Sequence, residues 1–276
     1  MLDALRVEHP EWRPLLVLIE AALHEAESPD WARFVPVAGH QADDGRPLLD
    51  GAVISVAPKL VGRWVRHLLE LAAAAGTEVE PLANAVAAGR LDPSSLFEAA
   101  VSQDVDRFHD IARVERDYRG VLRGLASLIA MPMLQTCWRA WAERVSPSWS
   151  HDYCPVCGGW PALAEIRGLD GARHLRCGCC GSDWRTEWLR CPFCGESDHQ
   201  KLGSLVSPDR LERHAIAVCD GCRGYVKTFT TLSAIRPGDV LLEDLATLAL
   251  DMAALERDYR RPAARGCAVV VLSLRP

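Results

Sequence analysis

Hydrophobic residues recur at helical spacing through the first half of the chain. Leu15, Leu18, Ile19, Ala22 and Leu23 form an apolar stripe after Pro14. Leu60, Trp64, Leu68, Leu71 and Ala75 form a second, ended by Gly76. Phe108, Ile111, Tyr118, Val121, Leu122, Leu125 and Leu128 form a third. Intervals of three and four residues put each set on one helix face, so the spacing predicts a helical bundle. Pro132 is expected to kink or end the third helix, because proline removes an N–H and crowds the preceding turn. A short helix carrying Trp138 and Trp141 should follow it. The stretch 39–58 is rich in Gly, Asp and Pro and predicts an irregular connection.

The pattern changes after Ser146-Pro147-Ser148-Trp149-Ser150, which reads as a linker. Short β-type runs replace the helical stripes at Arg173–Cys177, Trp184–Leu189, Arg213–Cys219 and Tyr225–Thr230. Helical spacing returns after Pro237. Leu241, Leu245, Leu248, Met252, Leu255 and Tyr259 predict one amphipathic helix of about five turns, with Asp239 as its N-cap. It should pack on the bundle or on the β-rich part. The expected class is α+β: an all-helical domain over 1–148, two tandem rubredoxin-like or zinc-ribbon modules over 149–190 and 191–236, and a C-terminal helix and tail over 237–276.

Cysteine spacing supplies the chemistry of the β-rich part. Four Cys-x-x-Cys pairs occur there: Cys154/Cys157, Cys177/Cys180, Cys191/Cys194 and Cys219/Cys222. Two such pairs offer one metal ion four soft thiolates from two short turns. The pairs repeat in order. Cys-Pro-Val-Cys-Gly at 154–158 resembles Cys-Pro-Phe-Cys-Gly at 191–195, and each leads through an Arg-His strand entry to a second pair. Proline presets the turn and glycine permits a positive φ, so backbone N–H groups can aim at the sulfurs. Intervals of 19 and 24 residues between the pairs of each half leave room for a strand to go out and return. Sequential pairing therefore groups Cys154, Cys157, Cys177 and Cys180 in one site, and Cys191, Cys194, Cys219 and Cys222 in the other. A cross-braced pairing is the alternative. Zinc and iron both accept four thiolates, so ligand type leaves the metal open. Cys179 is expected to be a small turn residue, Cys137 and Cys267 structural, and His174 and His214 not to be ligands.

Composition narrows the function classes. The formal net charge is −6, and residues 151–230 hold ten Lys/Arg against ten Asp/Glu. Neither favours nucleic-acid binding, which depends on clustered cations. The N-terminal sequence lacks the basic-then-apolar pattern of a secretory signal, and no apolar run suggests a membrane span. The expected location is cytoplasmic, where disulfides are disfavoured. The sequence carries no Ser-His-Asp arrangement and no nucleotide loop, and a site filled by four thiolates has no open position. An enzyme is not expected.

On these motifs the chain resembles the formate dehydrogenase accessory protein family of the FdhE type. The similarity covers Leu175–Arg185, the Cys-Asp-Gly-Cys-x-x-Tyr-x-Lys run Cys219–Lys227, the helical segment Asp244–Asp251, and Gly45–Asp50 ahead of the Trp64 helix. It departs at Cys179, an added thiol, and in the tail Ala263–Pro276. The resemblance implies a cytoplasmic maturation factor. Such a factor assists the catalytic subunit of a molybdenum- or tungsten-dependent formate dehydrogenase, and carries iron in two rubredoxin-like sites held by the eight cysteines. A rubredoxin-like electron carrier is the first alternative, and a nucleic-acid-binding zinc-ribbon protein a lesser one.

Overall fold

The computed structural model describes residues 1–38, 45–77, 79–112, 119–205 and 213–274. Expectations for 39–44 and for Tyr118 lie outside these residues. The chain divides into two compact units. The first comprises Met1–His40, Leu48–Trp141 and Gly266–Pro276; the second comprises Gln41–Pro47 and Ala142–Arg265. The tail thus returns to the helical unit, while residues 142–148 go with the β-rich one.

In the first unit, α1 (Leu2–Glu8), α2 (Arg13–Ala26), α3 (Pro58–Ala74), α4 (Glu80–Ala87), α5 (Pro93–Val101), α6 (Val105–Ala112) and α7 (Arg119–Trp141) share a core. Trp31, Trp64, Phe97 and Phe108 are completely buried in it. The α2 and α3 stripes face inward, apart from Leu15, which is exposed. Pro132 does not end the third helix; α7 runs through it to Trp141, so Trp138 lies on the same helix. The Trp64 indole donates to the Ile129 carbonyl at 3.0 Å, in the turn that proline disturbs. By length and composition the stretch Gly120–Arg144 could cross a bilayer, which the sequence reading did not anticipate, but 72% of its apolar window is buried within the protein.

The connection over 39–58 is not wholly irregular, since it contains strand β1 (Ala52–Val56). Its partner is β8 (Val269–Ser273), in the tail; the two pair in parallel with Ala52 opposite Val269. Parallel pairing across so wide a sequence gap leaves no local signal, such as a turn.

In the second unit β2 (Pro161–Arg167), β3 (Ala172–Cys177), β4 (Asp183–Arg185), β5 (Leu202–Leu205), β6 (His214–Cys219) and β7 (Tyr225–Thr231) form one six-stranded sheet, ordered β4-β3-β2-β7-β6-β5. Each module contributes three antiparallel strands, and a parallel β2–β7 pair joins the modules, with Glu165 opposite Phe229. Two ribbons expected as tandem beads are thus one continuous sheet.

The expected C-terminal helix is two helices, α8 (Asp239–Ala246) and α9 (Leu248–Leu255), broken at Thr247. Gly238 occupies the N-cap, and Asp239 instead accepts from Arg236 at 2.6 Å. The break resets the helical phase, so the predicted stripe faces the core only in part: Tyr259 is buried and Leu241 and Leu245 are half-buried, but its middle is not. Leu248, Met252 and Leu255 are exposed, whereas Val240, Leu242, Leu250, Ala254 and Tyr259 are buried. α8 packs through Val240 on Ala162, Leu163 and Phe229; α9 packs through Leu250 and Ala254 on Ile216, Val218 and Tyr225.

Candidate metal centres

Each Cys-x-x-Cys pair sits on a tight turn beside a strand end. Gly158, Gly181 and Gly195, each following the second cysteine of a pair, take φ of 74°, 73° and 73°. Glycine adopts that left-handed conformation without the cost a side chain adds. The turn carries backbone N–H groups to the sulfur: those of Val156 and Cys157 both lie 3.3 Å from Cys154 Sγ. The Cys179 N–H donates to Cys177 Sγ at 3.4 Å. Such bonds favour the thiolate over the thiol.

The structure gathers the thiols in the sequential sets. Cys154, Cys157, Cys177 and Cys180 have all their sulfurs within 4.8 Å of one another, as do Cys191, Cys194, Cys219 and Cys222. Within each set, distances between its two pairs are 3.5 Å for Cys154–Cys180 and for Cys157–Cys177, 3.6 Å for Cys191–Cys222 and 3.8 Å for Cys194–Cys219. These are far beyond a disulfide bond of about 2.05 Å. A tetrahedral ion with metal–sulfur bonds of about 2.3 Å requires sulfur–sulfur edges of about 3.8 Å. The donor sets therefore fit one tetrahedral ion each, and the chemistry suits zinc or ferrous/ferric iron. The clustered thiols differ in how readily they ionise. Burial pushes Cys191 up, and it pushes Cys222 up to about 11. Hydrogen bonding from its neighbours, Cys154 first, lowers Cys177.

The surroundings of the two sets differ. All four thiols of the first set are 0% exposed. Ser182 Oγ lies 2.9 Å from Cys154 Sγ. Pro237 closes over Gly181, where a Cβ would meet the proline ring at 2.5 Å. Beneath the turn, Arg176 donates to Gly181 O at 3.0 Å and to Glu165 at 2.6 Å, with Glu165 fully buried. In the second set Cys191 and Cys219 are buried, but Cys194 and Cys222 are exposed. Its turns carry Glu196, Asp220 and Arg223, and Lys201 pairs with Glu196 at 3.0 Å. A mainly apolar cleft of about 540 Å³ borders Cys191 and Cys219, lined in part by Trp188, Leu189, Pro192 and Phe193.

The other sequence candidates fall outside the sets. Cys179 is half-buried in the second turn of the first set. Cys137 is buried on α7, and burial holds its thiol above its ordinary range. His174 bonds Asp183 at 2.8 Å, and His214 lies against the Phe229 ring. Sequence reasoning did not single out Arg176 and Glu165. The available signal was position: Arg176 immediately precedes Cys177, and Glu165 lies across the β2–β3 ladder.

Two cysteine tetrads on a duplicated ribbon define a ribbon protein whose two sites could each hold a metal ion, joined in one chain to a helical unit. Over part of its length the chain is similar to FdhE proteins. Residues 189–266 match the family model described as "FdhE, C-terminal domain". The "Protein FdhE homolog" of Pseudomonas aeruginosa is 35% identical over 139 residues, 46% of this chain and 45% of that protein. The homolog of Aquifex aeolicus is 29% identical over 174 residues, 60% of this chain and 53% of that protein. These matches span about half the length of the curated relatives. The crystal structure of the FdhE protein from Pseudomonas aeruginosa superimposes with a TM-score of 0.56 at 24% identity, covering 90% of this chain and 84% of that one, which shows a shared fold.

Proposed function

We propose that this chain is a cytoplasmic accessory protein that binds the catalytic subunit of formate dehydrogenase and supports its assembly or activity. In this reading it is not an enzyme. Cys154, Cys157, Cys177 and Cys180 hold one iron or zinc ion, and Cys191, Cys194, Cys219 and Cys222 hold another. The observation that carries the reading is the pair of tetrahedral thiolate sets built into one sheet within an FdhE-type fold. Sets of four thiolates leave no position for substrate, so the metal supports structure or carries electrons. The net charge of −6 favours a protein partner over nucleic acid. Tagged protein should retain the formate dehydrogenase catalytic subunit. Deleting the gene should abolish formate oxidation while the subunit is still made; undiminished oxidation in the deletion strain would refute the reading.

Exposure of Cys194 and Cys222 favours a second reading, rubredoxin-like electron transfer, because an outward thiolate shortens the path to a redox partner. Protein purified without oxygen would then be red and show a reversible one-electron step. A colourless, zinc-loaded protein from the same preparation would exclude it.

A further inference from the structure

The two tetrads share a donor set and a turn chemistry, yet their surroundings differ. The first set is sealed: no thiol reaches solvent, Pro237 covers the second turn, and Ser182 contacts Cys154. The second set turns Cys194 and Cys222 outward among charged residues. Replacing a metal–thiolate bond requires an incoming donor to reach the ligand or the ion. Susceptibility of cysteine sulfur to reagents likewise follows exposure and thiolate character. Only the second set admits such an approach.

A backbone feature marks the same set. In three of the four turns the residue after the second cysteine is a glycine with positive φ. In the fourth turn it is Arg223, at φ 58°. A side chain in that region is strained, and such strain persists where surrounding contacts fix it. Here those contacts lead to the end of α9. The Arg223 guanidinium donates to Arg257 O at 2.5 Å and to Asp220 at 2.9 Å, and lies 4.0 Å from the centre of the Tyr259 ring. The Tyr259 hydroxyl donates to Asp220 at 2.7 Å, and the Arg260 N–H donates to Arg223 O at 2.8 Å. The turn that carries Cys219 and Cys222 therefore also holds the segment following α9. Glycine would make that turn more easily but would lose the bonds to Arg257 O and Asp220 and the contact with the Tyr259 ring, leaving the backbone bond from Arg260 and the Tyr259–Asp220 bond.

We propose that the second tetrad is the exchangeable centre of this protein and that Arg223 transmits its occupancy to α9, while the first tetrad is a permanent structural centre. The proposal rests on the metal-centre reading and goes beyond it, since it divides labour between two sites of the same chemistry. When the second ion leaves, the Cys219–Cys222 turn relaxes and the 257–260 segment loses its anchor. α9 then loosens from the ribbon, together with the apolar residues Leu248, Met252 and Leu255 that it already presents to solvent.

The full chain, loaded with zinc to two ions, would be treated with EDTA and then with iodoacetamide. Alkylation converts a thiolate to a thioether with loss of iodide. Half of the metal should leave first, alkylation should map to Cys194 and Cys222 ahead of Cys154 and Cys157, and amide exchange over 239–255 should accelerate in step. An Arg223→Gly variant should keep both ions, yet show fast exchange over α9 before any chelator is added. Joint release of both ions, or earlier alkylation of the first set, would overturn the division of labour. Unchanged α9 protection in Arg223→Gly would overturn the transmission. A chain that takes up no zinc at all would sink the metal-centre reading as well, which separates the two failures.

Discussion

Lys227 Nζ lies 2.6 Å from Asp251 Oδ2, with only 1% of the lysine side chain exposed. The same ammonium reaches Asp244 Oδ1 at 2.8 Å and Asp244 O at 2.6 Å, at the end of α8. Arg261 joins from the other side, 2.5 Å from Asp244 and 2.9 Å from Asp251. A strand of the second ribbon thereby holds the break between α8 and α9. Replacing Lys227 by Met would leave a carboxylate pair short of one cation in a largely buried site. Such losses cost about 3–5 kcal/mol. The urea midpoint of the second unit should fall by that amount divided by its m-value; an unchanged midpoint would show that Arg261 alone suffices.

The same cluster predicts a pH dependence. Burial disfavours the Asp244 carboxylate, but Arg261 and Lys227 outweigh that and hold it below the usual carboxylate range. A group with a depressed native pKa adds stability that is complete above its unfolded pKa of about 3.9. That stability is lost as pH falls through the lower native value. Acid titration should therefore expose α8 below about pH 4. In Asp244→Asn this acid limb should flatten, with the cost appearing at neutral pH instead. Parallel acid curves for the two proteins would count against the assignment.

Removing a first-set ligand should have a longer reach than one ribbon. Structural metal sites contribute on the order of 10 kcal/mol of local folding energy. Because β2 pairs with β7, Cys154→Ser should loosen the second module along with the first. The α2–α7 bundle belongs to the other unit and should persist. Metal analysis should find one ion in place of two, and limited proteolysis should cut within 142–265 while sparing the bundle. Full protease resistance with unchanged metal content would exclude Cys154 as a ligand.

Two glycines separate backbone strain from crowding. Gly76 has φ 74° and nothing within 4 Å of an added Cβ. Gly181 has φ 73°, but there a Cβ would meet Pro237 Cβ at 2.5 Å and its Cα at 2.8 Å. Gly76→Ala should cost about 1–2 kcal/mol, the conformational term alone. Gly181→Ala should cost more and weaken the first centre, measured as faster zinc loss to a chelator. Equal effects of the two substitutions would mean that Pro237 gives way.

The thiol turns were legible because four ligands for one ion impose residue types at fixed spacing. The strands β3 and β6 were legible because the repeat displays the same approach to a cysteine twice. The α3 stripe was legible because Leu60, Trp64 and Leu68 do face the core. The β1–β8 pair was not, since its strands meet from positions remote in sequence. Nor was the break at Thr247, where a continuous apolar period hides a helix end fixed by Lys227, a residue of a distant strand. The face of α9 was misread for that reason. The contrast in burial was half legible: Val156, Gly178 and Cys179 occupy the first set's turns where Phe193, Asp220 and Gly221 occupy the second's. The closure by Pro237 was not, because it depends on chain that returns later.

The order β4-β3-β2-β7-β6-β5 also fixes how the duplicated module is related to its copy. β2 and β5 are equivalent strands of the two modules, as are β4 and β7, so the leading edge of one module meets the trailing edge of the next. That is a translation, a head-to-tail contact that does not close on itself as a two-fold contact does. Nothing in its geometry would stop a further module from adding at either side. At one outer side the edge strand β4 is only three residues long, which leaves little edge to template another ribbon.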